Sequence, residues 1–279
     1  MRIKHRYAFR ADGSKKRLVN FLSENEISHN ISGAIPMLVF TIYEDDRNWK
    51  KVASLMKRHG CSPITECVYS KEELENAAWL SIRSKWRWSY PQPEDHFKSI
   101  TYDDSKYCDR CGCGLIQKDS FNIKKSPSWG KRNFLMLNWV EDELFINDKV
   151  FDLLKNSELQ GFDLLDVNYS KSNSVVENIK QIRVNKILDS GMIIKKDNIK
   201  EKIKCKKCGC RKLILKGRGT YRKEKVFKGI DVDIIKSSEV FGGGLICARE
   251  IFVSNSFYRL ITENGLDKDL FFEVVNLIN

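Results

Sequence analysis

The sequence YCDRCGCGLI, residues 107–116, has a counterpart in KCKKCGCRKL, residues 204–213. Both contain the core Cys-x-x-Cys-Gly-Cys, in which a tight turn aims two thiols at one point and glycine allows a backbone conformation that a Cβ would hinder. Each core offers two of the four ligands that a structural Zn²⁺ takes. We therefore predict one structural zinc ion held by four cysteines: Cys108, Cys111, Cys205 and Cys208.

The third cysteine of each core leaves an alternative open. Cys113 or Cys210 could replace a neighbour as ligand, or each core could hold its own metal with a fourth ligand from elsewhere. We favour the shared site, which would join distant parts of the chain because 93 residues separate Cys111 from Cys205. Four thiolates leave no open position, so the predicted role of the metal is structural. The other three cysteines, at positions 61, 67 and 247, are predicted to be small buried residues.

The composition is that of a globular protein in a reducing compartment. The 279 residues are 42% hydrophobic and 31% charged, and no apolar run approaches the roughly 20 residues that cross a bilayer. The start, MRIKHRYAFRADGSKKR, lacks the apolar core of a signal peptide. We therefore expect a cytoplasmic protein with no membrane partner, where clustered thiols favour a metal over disulfides.

Positive charge is concentrated in residues 195–225, here called the basic segment. It holds 14 Lys or Arg and three acids, whereas the rest of the chain is nearly neutral despite a net charge of +12 overall. A solvated, lysine-rich loop is one interpretation. The other is a surface that binds an acidic protein or nucleic acid, for which we name eight candidates: Lys206, Lys207, Arg211, Lys212, Lys216, Arg218, Arg222 and Lys223.

Residues 1–90 are predicted to form a small domain of the ferredoxin-like kind. Strand candidates HRYAFRA, AIPMLVFTIYE and ITECVYS alternate with two amphipathic helices, and a third helix is expected where Ser70 and Glu73 form a capping box. This β-α-β-α-β order is typical of a split βαβ fold. Residues 91–107, which follow an aromatic stretch and contain Pro93, are predicted to be an ordered linker packed onto a domain surface.

Residues 108–279 contain an apparent internal repeat. ELFINDKVFDLLKNSELQGFDLLDV (143–167) aligns without a gap, at an offset of 107, with EIFVSNSFYRLITENGLDKDLFFEV (250–274), with five identities. Each copy is predicted to be a strand, a helix capped by Asn147 or Ser254, and a second strand. Because each copy also follows a cysteine core, we predict an α+β fold. It consists of the ferredoxin-like domain and a duplicated module, with halves of about 108–190 and 205–279, held together by a zinc-ribbon-like four-cysteine site.

Two Cys-x-x-Cys-Gly cores on one chain resemble the bacterial double-CXXCG proteins. The stretch DVDIIKSSEVFGGGLICAREIFVSNSFYRLITENGL, residues 231–266, is also similar to an immunity-protein domain family of polymorphic toxin systems. The residues that match its closing pattern are Asp233, Phe241, 251–253, Ser254, Leu260 and Leu266. The resemblance covers roughly residues 100–279. It implies a protein that binds and neutralises a toxin rather than a catalyst.

These residues favour one function over two others. The first is a zinc-containing binding protein of toxin-immunity or defence type, whose basic segment meets an acidic toxin surface. The alternative is a nucleic-acid-binding zinc-ribbon protein that uses the same segment for phosphate contacts. An enzyme is not expected, because the sequence has neither a P-loop nor a Gly-x-Ser-x-Gly elbow.

Overall fold

The computed structural model describes residues 1–10 and 16–279, a mixed α+β chain with many short strands and few helices. It separates into two compact units. Unit 1 comprises Met1–Lys71 and Lys216–Gly219, and unit 2 comprises Glu72–Leu215 and Thr220–Asn279. Within the described ranges no helix is long and apolar enough to span a membrane.

Unit 1 is one antiparallel sheet with two helices. Its elements are β1 (Arg2–Arg10), α1 (Lys16–Glu24), β2 (His29–Ser32), β3 (Met37–Tyr43), α2 (Trp49–Arg58) and β4 (Ile64–Val68). The strand order is β2-β3-β1-β4, so each helix connects two strands that have a third strand between them. Buried apolar residues of both helices and of the two central strands form the core, including Leu22, Phe40 and Met56. The sequence-based order lacked β2, which is short and polar.

Unit 1 ends at Lys71, so the predicted boundary at residue 90 is wrong. The helix expected to open at Ser70 is a single short one, Lys71–Glu75, here α3. The apolar residues after it form a strand, β5 (Trp79–Ser84), that lies in a sheet of unit 2. Leu80 and Ile82 are buried in that sheet, so the residues that follow α3 belong to unit 2 and not to unit 1.

Unit 2 holds the remaining elements. They are α4 (Phe97–Thr101), β6 (Tyr102–Asp103), β7 (Ile116–Gln117), β8 (Asn122–Ile123), β9 (Phe134–Leu135), β10 (Leu144–Ile146), α5 (Asp148–Lys155), β11 (Phe162–Tyr169), β12 (Val175–Val184), β13 (Ile199–Lys204), β14 (Arg211–Leu215), β15 (Thr220–Lys223), β16 (Ile234–Lys236), β17 (Val240–Phe241), β18 (Ile251–Ser254), α6 (Asn255–Glu263) and β19 (Leu270–Ile278).

Two five-stranded sheets of unit 2 have equivalent strand orders. One is β8-β11-β12-β10-β9 and the other is β15-β19-β5-β18-β16. In both, the first pair is parallel and the other three are antiparallel. The two predicted strand-helix-strand segments therefore occupy matching places, β10-α5-β11 in one sheet and β18-α6-β19 in the other.

The central strand of each sheet comes from the other half of the unit. β12 lies between β10 and β11, but β5, which precedes the first cysteine core, lies between β18 and β19. Ile182 pairs with Leu144 and Ile82 pairs with Ile251, so the two central strands correspond at an offset of 100. The halves therefore run from β5 to β11 and from β12 to β19, which corrects the predicted limits of 108–190 and 205–279.

Both predicted helix caps are confirmed. The Asn147 side chain accepts a hydrogen bond from the backbone N–H of Val150, and the Ser254 hydroxyl accepts one from Phe257. The gapless alignment is wrong beyond the helices. Leu164 pairs with Ile182 whereas Phe272 pairs with Ile82, so the last strands correspond at an offset of 108 and one residue is inserted between α6 and β19.

Residues 91–107 are an ordered, packed part of unit 2 and do not connect the two units. They contain α4 and β6, and Phe97 is buried in an apolar cluster with Phe121 and Phe145. Trp86 and Trp88 pack against the same cluster. The aromatic side chains hold this stretch on the sheet surface, because each buries a large apolar area.

Candidate metal centre

Each cysteine core lies at the end of a two-stranded hairpin. The first connects β6 to β7, and the second connects β13 to β14. The Cys108 N–H donates to the Cys113 carbonyl, and the Cys205 N–H donates to that of Cys210, both at 2.8 Å. The glycines Gly112 and Gly209 have φ values of +79° and +77°, a region that strongly favours glycine. The two cores therefore have the same backbone conformation.

The hairpin ends face each other and bring four sulfurs together. The Sγ atoms of Cys108 and Cys205 are 3.8 Å apart, and those of Cys111 and Cys208 are 3.4 Å apart. All four lie within 4.8 Å of one another, and three of the four residues are buried. The set predicted from sequence is thus assembled in a geometry that can hold a metal ion. Thiolates at this spacing suit tetrahedral coordination by a soft or borderline cation.

The four thiols lie in unequal environments. Backbone N–H groups of Cys208 and Lys207 lower the pKa of the Cys205 thiol to about 6. Burial raises the pKa of Cys111 to about 12. We therefore expect the Cys205 thiol to lose its proton before the Cys111 thiol. A bound cation would favour the thiolate form of every ligand.

Lys212, one of the predicted binding residues, is buried beside the four-cysteine site, so its predicted place on a binding surface is wrong. It is 2% exposed, and its ammonium group donates to the carbonyl oxygens of Cys111, Gly244 and Ile246 at 2.8, 2.6 and 2.9 Å. A buried ammonium needs such acceptors, because its desolvation is costly without them. Lys212 therefore connects the first core to the loop that follows β17.

Arg222 is also removed from the predicted surface. It is fully buried and lies between two carboxylates, with 2.5 Å to Glu239 and 2.9 Å to Glu250. Burial opposes ionisation of Glu239, but the hydrogen bond and charge of Arg222 lower its pKa to about 2. Burial raises the pKa of Glu250 despite the same arginine. One guanidinium thus pairs with two carboxylates inside unit 2.

The other six predicted binding residues differ in their surroundings. Lys207 is exposed and 2.7 Å from Asp109 of the first core, an ion pair that solvent screens. Arg218, in unit 1, is half-buried and hydrogen-bonds to Glu44. Four are exposed: Lys206, Arg211, Lys216 and Lys223. The basic segment is therefore not a uniform surface.

Cys247 was missed as a partner of the cores. It is joined to Cys113 by a disulfide, although the sequence predicted a small buried residue and a chain without disulfides. The Cys210 Sγ lies 2.8 Å from that of Cys113. These three sulfurs form a second group, distinct from the four-cysteine site. The sequence signal was the cysteine that ends the glycine-rich stretch FGGGLIC, residues 241–247.

The resemblance pattern includes one pair in contact. The Asp233 carboxylate accepts a hydrogen bond from the Ser254 hydroxyl at 2.6 Å, and Ser254 also caps α6. This contact accounts structurally for both residues.

Searches of protein-family models, curated proteins and solved structures return no match to the chain.

Proposed function

We propose that the chain is a zinc-containing bacterial binding protein of toxin-immunity or defence type that acts by binding another protein. The observation that carries the proposal is the closed arrangement of four thiols, contributed equally by two equivalent hairpins. Four thiolates on one Zn²⁺ leave no position for a substrate, so the metal would fix the structure. The cytoplasm, where such thiols stay reduced, is the compartment that we propose.

The proposal includes finer names for the two units. Unit 1 would be a ferredoxin-like domain, which is supported by its order β2-β3-β1-β4 with a helix after β1 and after β3. Unit 2 would be a duplicated module joined by two zinc-ribbon-like hairpins, which is supported by their equivalent backbone hydrogen bonds. A rigid, metal-linked platform would present side chains to a partner with little ordering cost.

The proposed partner is a protein with an acidic surface, and the contact would use exposed basic residues of unit 2. Lys206 and Arg211 flank the second core, and Lys223 ends β15. Opposite charges raise the association rate and select between partners. Lys212 and Arg222 are excluded from this surface because they are buried.

The test is capture of partners from native cell extract by the tagged chain, with and without nuclease. A variant with Lys206, Arg211 and Lys223 changed to Glu is compared with a matched control in which Lys124, Lys125 and Lys131, also exposed, are changed to Glu. We expect one protein that survives nuclease, is retained by the control and is lost from the variant. Equal retention by both variants would contradict the proposed contact.

Nucleic acid is the second candidate partner. Lysines at positions 200, 202 and 204 are exposed on β13, an edge strand leading into the second core. Such a row suits phosphate contacts, although lysine on an edge strand also prevents strand pairing between molecules. Loss of all captured material after nuclease, with binding that weakens steeply as salt rises, would favour this candidate over a protein partner.

A further inference from the structure

Three cysteines outside the four-cysteine site form a second compact group. Cys113 and Cys210 are the last cysteines of the two cores, and Cys247 comes from the loop between β17 and β18. Their sulfurs lie within 4.8 Å of one another. Cys113 is buried and the other two are half-buried. Every ligand atom in the group is a cysteine sulfur.

The position of Cys247 is fixed by its loop, residues 241–248. Phe241 and Ala248 exchange two backbone hydrogen bonds, of 2.7 and 3.0 Å, which close the loop at its base. Lys212 bonds to two carbonyls within it and to the first core. A Cβ on Gly112 would lie 1.8 Å from the Leu245 carbonyl oxygen, so the loop touches the core backbone. The third thiol is therefore held beside the other two by specific contacts.

The third cysteine has no counterpart at the corresponding position of the other half of unit 2. At the offset of 107 that relates the two halves here, the counterpart of Cys247 is Val140, a buried apolar residue. The first half therefore has an apolar residue, not a cysteine, at the corresponding sequence position. A packing role for residue 247 does not require a cysteine, whereas a site with three thiolate ligands does.

We propose that Cys113, Cys210 and Cys247 form a second metal site in the reduced chain, which takes a soft d¹⁰ ion, either Zn²⁺ or Cu⁺. Thiolate ligands select such ions, and the group contains no carboxylate or imidazole. The disulfide between Cys113 and Cys247 is the oxidised, metal-free form of the same site. This inference does not depend on the proposed binding function.

A small-molecule disulfide, such as oxidised glutathione, can convert one form into the other. The Cys247 thiolate attacks one sulfur of the oxidant and expels one thiolate. The Cys113 thiolate then attacks the Cys247 sulfur, forms the protein disulfide and expels the second thiolate. The two protein sulfurs lose two electrons, which the oxidant gains. The metal ion leaves, and Cys210 takes a proton from water.

The experiment counts metal and thiols on the full chain under anaerobic, reducing conditions. The protein is saturated with Zn²⁺, desalted and analysed, and the zinc-loaded protein is then titrated with Cu⁺. For a zinc site we expect two zinc ions per chain in the wild type, one in Cys247→Ser and two in the control Cys61→Ser. For a copper site we expect one zinc, and one Cu⁺ bound without release of zinc, the copper being lost in Cys247→Ser.

A second measurement needs no variant. Oxidised glutathione should release one metal ion per chain and lower the thiol count from nine to seven, with an unchanged circular dichroism spectrum. A wild type that binds one zinc and no further Cu⁺ would overturn the proposal. So would a Cys247→Ser variant that keeps the wild-type metal content, or oxidation of that thiol pair without loss of metal.

Discussion

The ammonium group of Lys212 lies 2.8 Å from the carbonyl oxygen of Cys111, a residue 101 positions earlier in the chain. The same group reaches two carbonyls of the loop that carries Cys247. A lysine from the most basic part of the sequence therefore acts inside unit 2, where it joins the two cysteine cores independently of any metal.

Replacement of Lys212 by Met should leave three carbonyl oxygens without their charged donor. We expect the free energy of unfolding to fall by about 3 kcal/mol, because buried acceptors lose hydrogen bonds to a cation. Exposed Lys206 is the matched control, and Lys206→Met should change the value by less than about 0.5 kcal/mol. Denaturant unfolding followed by circular dichroism measures both. Equal effects would mean that the Lys212 contacts contribute nothing.

The two core glycines provide a second matched pair. Gly112→Ala places a Cβ 1.8 Å from the Leu245 carbonyl oxygen, whereas Gly209→Ala meets nothing within 4 Å. Both substitutions force a side chain into the left-handed region, at about 1–2 kcal/mol. Gly112→Ala should cost about 2 kcal/mol more, because the loop backbone must move. Thermal unfolding of the two variants tests this difference, which is absent if the loop does not contact the core.

Loss of one sulfur from either core should have the same consequence. Cys108→Ser and Cys205→Ser each leave three thiols at the four-cysteine site, so we expect similar zinc loss and melting temperatures lower by about 10 °C. Cys61→Ser, in unit 1, should keep its zinc and its melting temperature. Clearly different shifts in the two core variants would indicate a separate metal on each core.

Removal of the buried guanidinium should lower stability by an amount that depends on pH. In the wild type the lowered pKa of Glu239 contributes stability above about pH 4.5 that is lost as the pH falls towards 2. In Arg222→Met, the half-buried carboxylates of Glu239 and Glu250 have lost their cation, and their ionised forms are disfavoured. The variant should therefore be less stable by about 3–5 kcal/mol at pH 7, with a smaller deficit near pH 4.

Lys223→Met serves as the control for this substitution, because the neighbouring side chain is exposed. It should follow the wild-type profile across the same pH range. Unfolding curves at pH 4, 5.5 and 7 provide the comparison. A deficit in Arg222→Met that stays constant with pH would show that the two carboxylates are not the cause.

Local sequence patterns predicted the parts of the fold that depend on neighbouring residues. The six-residue core specifies its own turn, so the four cysteines that the fold brings together were identified from spacing alone. The caps Asn147 and Ser254 follow from residues within three positions. β5 was not predicted, because the residues Trp79-Leu80-Ser81-Ile82 were assigned to the end of the helix expected to begin at Ser70. Its partners, β18 and β19, lie about 170–190 positions away.

The basic segment shows a second limit. Lys206 and Lys212 are the same residue type six positions apart, yet one is exposed and the other is buried. β14 places Lys212 on its inner face, and the acceptors come from two other segments. Charge density along the chain cannot distinguish these cases, because the distinction depends on which carbonyl groups the fold brings close.

The exchange of central strands between the halves has a consequence during synthesis on the ribosome. β5 emerges early, but its place between β18 and β19 does not exist until β19 has been translated. The first sheet likewise waits for β12 from the second half. Long-range pairing of this kind folds slowly, so the nascent chain must keep apolar β5 from other partners over nearly 200 residues of translation. A chain truncated before β19 would leave one edge of this apolar strand unpaired and open to aggregation or proteolysis.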